Sequence, residues 1–159
     1  MDILEEIVAH KRQEVEEWKS MLSFRRLYEL TEPMLEQPVA SMSEALRKSN
    51  TGIISEFKRK SPSRGWIHKD AKASVVPRSY QDNGAAALSI LTDEMYFGGY
   101  DEFIQDARAT GVSIPILYKN FIIDEYQLLQ ARHCGASAVL LIAADLTLEE
   151  CRHLMEAAH

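Results

Sequence analysis

Ile54-Ser55-Glu56-Phe57-Lys58-Arg59-Lys60-Ser61-Pro62-Ser63 begins as a short apolar strand and ends as a basic turn. Period-two alternation puts Ile54, Glu56 and Lys58 on one face of such a strand. Two opposite charges therefore enter what should be an interior surface near the strand's C-terminal end. Charge there is costly unless it is paired or used. Either a Glu56/Lys58 ion pair plugs the interior, or the strand ends early and leaves Lys58 in solvent, or the pair belongs to a site. Active sites of βα barrels are built from strand ends and the loops that follow them, which is where these residues fall. A dinucleotide-binding sheet would carry Gly-x-Gly-x-x-Gly after its first strand. The turn here reads Arg59-Lys60-Ser61-Pro62-Ser63-Arg64-Gly65, so nucleotide binding loses weight.

Downstream, apolar runs of strand length alternate with amphipathic stretches. Candidate strands are Ile53 to Lys58, Ala86 to Leu91, Ile114 to Lys119 and Ala138 to Ile142. The helix-like segments that follow them are Val75 to Asn83, Asp101 to Thr110, Asp124 to Cys134 and Leu148 to Ala158. Asn83-Gly84 and Cys134-Gly135 read as glycine stops, and Asp124-x-x-Gln127 and Thr147-x-x-Glu150 as capping boxes. Four βα units in succession imply a parallel sheet with helical crossovers. The pattern fits half of an eight-stranded barrel or part of an open doubly wound sheet, and does not choose between them. Upstream, Asp2 to about Leu30 reads as helix, with Ile3/Leu4, Ile7/Val8, Val15 and Trp18 at helical spacing and Asp2 as its cap. Pro33 and Pro38 mark a connector, and Ser43 to Lys48 forms a further short helix.

A length of 159 residues suits one domain of ordinary size. With 46% hydrophobic and 26% charged residues, 7 Gly and 5 Pro, the chain is neither disordered nor collagen-like. Lys plus Arg number 18 and Asp plus Glu 24, a net charge of −6 that argues against a nucleic-acid binder relying on diffuse positive charge. Cys134 and Cys151 form no Cys-x-x-Cys and have no histidine pair at ligand spacing, so reduced buried thiols are expected rather than a metal or disulfide role. No apolar stretch approaches the ~18 residues needed to cross a bilayer, and the N-terminus has no signal-like pattern. A soluble cytoplasmic protein is the expectation.

Lys58 to Arg64 is a positive cluster in an acidic chain. It is either a solvated turn or a holder of phosphate or carboxylate. Lys119 ends a second apolar strand. It is either a snorkelling surface residue or a proton donor whose pKa desolvation and Lys58 would lower. Two strands ending in lysine at one rim favour a joint site. Phe97 and Phe121 follow the second and third strands and serve as loop plugs or as flat walls for an aromatic ring. The five histidines form no cluster.

Together these segments resemble the indole-3-glycerol phosphate synthase family of βα barrels. The resemblance rests on the 54–63 stretch, Gly84 to Asp93, Tyr96-Phe97-Gly98-Gly99, Pro115 to Gln127 and Gly135 to Ile142. It implies an α/β chain that is the N-terminal half of a TIM (β/α)8 barrel. A helical extension would occupy residues 1–50 and a (βα)4 half-barrel residues 51–159. The implied activity is that of a cytoplasmic carboxy-lyase of tryptophan biosynthesis, without cofactor or metal. It closes the ring of 1-(2-carboxyphenylamino)-1-deoxyribulose 5-phosphate with loss of carbon dioxide and water. By motif position Lys119 is the general acid, Lys58 the second lysine that binds anionic groups and serves a later proton transfer, and Glu56 its orienting partner. Lys60 and Ser61 contact the substrate, and Phe97, Phe121 and Leu140 line the ring pocket.

The family usually reads Arg-Lys-Asp-Phe where this chain has Tyr118-Lys119-Asn120-Phe121, which removes a cation and an anion beside Lys119. A whole barrel takes roughly 250 residues. The general-base glutamate of the fifth strand, the later Asn, Glu and Ser contacts and the phosphate-holding glycines of the last strands have no counterpart in these residues. A half barrel has unpaired edges, so self-association is expected, with a non-catalytic assembly module as the alternative function. A phosphoribosylanthranilate isomerase would need a strand-end cysteine, and both cysteines fall in helices. No nucleic-acid or membrane partner is expected.

Overall fold

Asp2 opens α1 (Ile3–Met21): its side chain accepts from the Leu4 amide while Glu5 reaches back to the Asp2 amide, a reciprocal cap. The computed structural model describes residues 2–159. Met1, the first residue of the expected extension, lies outside them. The expected helix to Leu30 is interrupted at Leu22-Ser23, because Ser23 caps the Arg26 amide and starts α2 (Phe24–Leu35). Pro33, expected in the connector, lies inside α2. It is exposed and close to the helix end, where the carbonyl it leaves unpaired can meet water. After α3 (Met42–Lys48) come β1 (Ile54–Phe57), β2 (Lys60–Ser61), β3 (Gly65–Trp66), α4 (Val76–Asp82), β4 (Ala87–Leu91) and α5 (Glu94–Phe97). The remaining elements are α6 (Glu102–Ala109), β5 (Ile116–Lys119), α7 (Glu125–Cys134), β6 (Ala138–Val139) and α8 (Leu148–Ala158).

β1, β4, β5 and β6 form one parallel sheet in that order, and β2 pairs with β3 in a short antiparallel ribbon. Strands that follow in chain order without a reversal belong to a barrel wall; the open doubly wound order reverses at a switch point. The chain is thus a partial α/β barrel. β6 ends at Val139, short of the expected Ile142: among the described residues β5 is the one strand bonded to it, and no strand on its other side holds Leu140 to Ile142 in a ladder.

The register aligns Phe57, Ile90 and Tyr118 across three strands. With Leu88 and Ile116 they form the helix-facing core, which Ile104, Ala107 and Leu154 complete. The other face carries Ile54, Glu56, Ser89, Leu117 and Lys119, as alternation requires. A second cluster, Val15, Leu27, Tyr126 and Leu129, seats α1 and α2 on α7, and the Tyr126 hydroxyl donates to the Leu22 carbonyl at 2.8 Å. Both expected capping boxes, at Asp124/Gln127 and Thr147/Glu150, are formed, and Gly135 ends α7 at φ 100°. Cys134 and Cys151 are free thiols; Cys134 is buried in the core and Cys151 half-buried.

At the N-terminal end of the strands the Arg108 guanidinium donates to the carbonyls of Val112, Ile114 and Gly135 and to the Ser137 hydroxyl, at 2.8 to 3.0 Å. It joins the two loops that feed β5 and β6. Replacing it leaves partly buried carbonyls without a donor. Arg108→Met is expected to lower stability by about 2–4 kcal/mol, and a urea titration followed by circular dichroism checks it: an unchanged midpoint contradicts this role.

Candidate functional site

Glu56 lies on the inner face of β1, one residue before Phe57 turns into the core. Its two carboxylate oxygens are divided between two lysines: Oε1 lies 3.1 Å from Lys58 Nζ and Oε2 lies 3.5 Å from Lys119 Nζ. Ser89 of β4, the strand between them, donates its hydroxyl to Oε2 at 3.1 Å. The three charged side chains are 32% to 37% exposed, so the cluster is open to a ligand and not a sealed plug. Desolvation alone would push the Glu56 carboxyl up. The hydrogen bond from Lys58, the charges of Lys119 and Lys58, and the Ser89 hydroxyl outweigh it and hold the group below its ordinary value.

Phe97 and Phe121 meet above the strand ends, their ring centroids 6.1 Å apart and inclined at 37°. Three devices set them there. Gln127, fully buried, donates to the Phe121 carbonyl and accepts from the Ile123 and Asp124 amides, which shapes the turn after β5. Arg59 donates to the Gly98 carbonyl at 3.1 and 3.2 Å while stacking on Trp66 and Phe103, which pins the loop after β1 to the loop after β4. Gly98 is left-handed at φ 59°, and a Cβ there would stand 2.8 Å from the Trp66 ring; at Gly99 it would stand 2.0 Å from the Leu91 carbonyl oxygen.

The structure thus brings Glu56, Lys58 and Lys119 into one cluster and Phe97 and Phe121 into one pair. Lys60 is turned elsewhere, donating to the Met95 carbonyl at 2.8 Å and lying over Trp66. Ser61 is buried in the ribbon with its hydroxyl 3.5 Å from that of Ser63. Leu140 is half-buried beyond the end of β6, between Val139 and Leu141, which both pack on the core. Sequence reasoning missed Ser89, read Arg59 only as part of the basic turn and Gln127 only as a capping residue. Ser89 was legible as the one polar residue of an apolar strand. Tyr118, beside Lys119, turns into the core and donates to Asp101 at 2.7 Å. Burial pushes Asp101 up to about 6, and the Tyr118 hydroxyl well above its usual range. Asn120 bonds Thr92 and the Phe121 amide. Among the described residues no group of three or more His, Cys, Asp or Glu comes together to hold a metal ion, and no helix is long and apolar enough to cross a membrane.

A parallel wall of βα units with its charged cluster at the C-terminal strand ends defines a barrel of the kind that works from that rim. The family model for indole-3-glycerol phosphate synthase matches residues 4–159, and the chain belongs to that family. Over 159 residues it is 52% identical to the indole-3-glycerol phosphate synthase of Bacteroides thetaiotaomicron, covering 99% of this chain and 60% of that protein. It is 43% identical to that of Neisseria meningitidis serogroup B, with 99% and 61% covered, and 41% identical to that of Dechloromonas aromatica, with 96% and 59% covered. The chain therefore spans about 60% of the length of the relatives it matches.

The lowered Glu56 pKa has a defined sign. Folded chain binds fewer protons at this carboxyl than unfolded chain does, so its contribution to stability is present above pH 4.5 and lost as pH falls through the folded value. Carbon-detected NMR of the Glu56 carboxyl is expected to give a midpoint below 4.5. Lys58→Met is expected to raise it more than Ser89→Ala does; the reverse order, or no change with Lys58→Met, contradicts the assigned partners.

Proposed function

We propose that this chain supplies the first four βα units of an indole-3-glycerol phosphate synthase, a carboxy-lyase of tryptophan biosynthesis. The ring carbon of 1-(2-carboxyphenylamino)-1-deoxyribulose 5-phosphate that bears the carboxylate attacks the ribulose carbonyl carbon. As that carbon–carbon bond forms, Lys119 gives a proton to the carbonyl oxygen. Carbon dioxide then leaves, the electron pair of its bond staying behind to restore the aromatic ring, and the new hydroxyl departs as water. Lys58 binds anionic groups of the substrate and serves the later proton transfer, and Glu56 holds both ammonium groups toward the same space. Phe97, Phe121 and Leu140 form the ring pocket. Lys60 and Ser61 meet the substrate once the loop after β1 releases Lys60 from the Met95 carbonyl. No cofactor is needed, since ring closure, decarboxylation and dehydration require no external oxidant or reductant.

The observation that carries this reading is the pair of lysines at the ends of separate strands, Lys58 just past β1 and Lys119 closing β5, sharing one carboxylate. Neutralising the carboxylate's charge with two cations leaves the trio net positive, which suits a substrate that carries a carboxylate and a phosphate.

A second reading is favoured by the sheet edges. Among the described residues β1 and β6 each have one neighbour, and Ile53 and Ile54 at the β1 edge are 53% and 45% exposed. Such edges template pairing with another chain, so the 159 residues would act as a self-associating module. Light scattering coupled to gel filtration tests that: a monomer at micromolar concentration excludes it.

Turnover is tested on this chain alone and with the C-terminal part of the Bacteroides thetaiotaomicron relative added in trans, by the fluorescence of the indole product. Loss of a positioned general acid is worth about 10²- to 10⁴-fold, and Lys119→Ala is expected to lower kcat by that factor. Equal rates in wild type and variant would overturn the assignment.

A further inference from the structure

Lys11 is fully buried, a rare place for an ammonium. Its Nζ lies 2.8 Å from Oδ1 of Asp93, itself 1% exposed, and its second acidic partner is Glu14. The Trp18 ring stands 5.4 Å away. Asp93 has a second task, since Oδ2 accepts from the Tyr96 amide at 2.9 Å and so caps α5, the one-turn helix that ends in Phe97. Two more residues of α1 reach the same turn. Glu6 accepts from the Tyr96 hydroxyl at 3.1 Å, and His10 meets the Tyr96 ring edge-on with centroids 5.8 Å apart. Glu6, His10 and Lys11 thus form a clamp on the turn that presents one wall of the aromatic pair.

We infer that Lys11 is a positioning residue for the aromatic pocket, acting from the N-terminal helix through Asp93 to hold Phe97 against Phe121. The substrate side of this inference rests on the function proposed above; the mechanical side does not. A buried carboxylate deprived of its cation is driven to seek water. Asp93 would swing outward, α5 would lose its cap, and Phe97 would no longer be held at its place. Binding of the substrate's aromatic ring would weaken while Lys119 and Glu56, on other strands, stayed in register.

The test uses the full chain with Lys11→Met, which keeps the length of the side chain, Asp93→Asn, which keeps a capping oxygen but removes the charge that anchors it to Lys11, the double variant, and Lys11→Arg. Hydrogen exchange by NMR needs no activity. The Tyr96 and Gly98 amides are expected to exchange about 10-fold faster or more in K11M and D93N, the α8 amides at wild-type rates, and K11R close to wild type. In turnover, KM is expected to rise about 10-fold with kcat within about threefold. The double variant, which removes both members of the Lys11–Asp93 pair and leaves only the partly exposed Glu14 without its lysine, keeps the test open if a single variant fails to fold. It too is expected to loosen Tyr96 and Gly98, because the tie between α1 and residue 93 is gone. Unchanged exchange at Tyr96 and Gly98, acceleration spread evenly over the whole chain, or a fall in kcat at constant KM would each overturn the inference. Absence of turnover in wild type would instead sink the substrate reading, and exchange at the two amides would still decide the clamp.

Discussion

Alternation along hydrogen-bonded parallel strands is the constraint that everything else obeys. Once Phe57, Ile90 and Tyr118 are aligned in register and buried against the helices, Glu56 and Lys119 have no choice of face. They stand two strands apart, a backbone separation of about 10 Å. The lysine stem crosses the intervening β4 and reaches the carboxylate. Ser89 sits on β4 between them and satisfies the oxygen that Lys119 approaches. A one-residue slip of β1 would send Glu56 into the apolar core and Phe57 to the open face, so stability and the placement of charge are enforced by the same ladder.

The loops above the sheet are held by polar contacts to backbone as well as by aromatic packing. Arg59 binds the Gly98 carbonyl, Gln127 the Phe121 carbonyl, and Asp93 the Tyr96 amide. Each contact satisfies a backbone group that the strand-to-helix turn would otherwise leave without a partner. The two glycines that follow Phe97 let Trp66 and the end of β4 approach within distances that a Cβ would forbid. The aromatic pair is therefore the product of three separately anchored loops, and any of the anchors can change it without touching the charged cluster.

Tyr118 and Asn120 flank Lys119 with uncharged side chains, which leaves that lysine with a simple electrostatic setting. Tyr118 lies in the core, donating to Asp101, and Asn120 is buried against Thr92. Neither contributes a charge on the inner face. Glu56 is the carboxylate that meets the Lys119 ammonium.

Strand and helix order, the capping boxes and the strand-end lysines were legible in the 159 residues because they depend on neighbours close in sequence: apolar periodicity, a cap and its partner three residues on, a charge where an apolar run stops. The break at Ser23 lay within reach of the same signals, a serine capping the amide three residues on. Pro33 inside α2 and the short β6 were not legible, since they depend on what lies alongside, water at the exposed proline and a single pairing strand at β6. Lys11 left a trace, falling at four-residue steps between Ile7 and Val15 on the buried stripe of α1, yet its meaning required Asp93, 82 positions away. Local pattern alone determined a succession of βα units with cations at strand ends and the family to which the motifs belong. Only the tertiary structure decided that one carboxylate would join two of those cations and that a helix from the start of the chain would brace the aromatic wall, because a buried charge takes whichever partner the fold brings within reach.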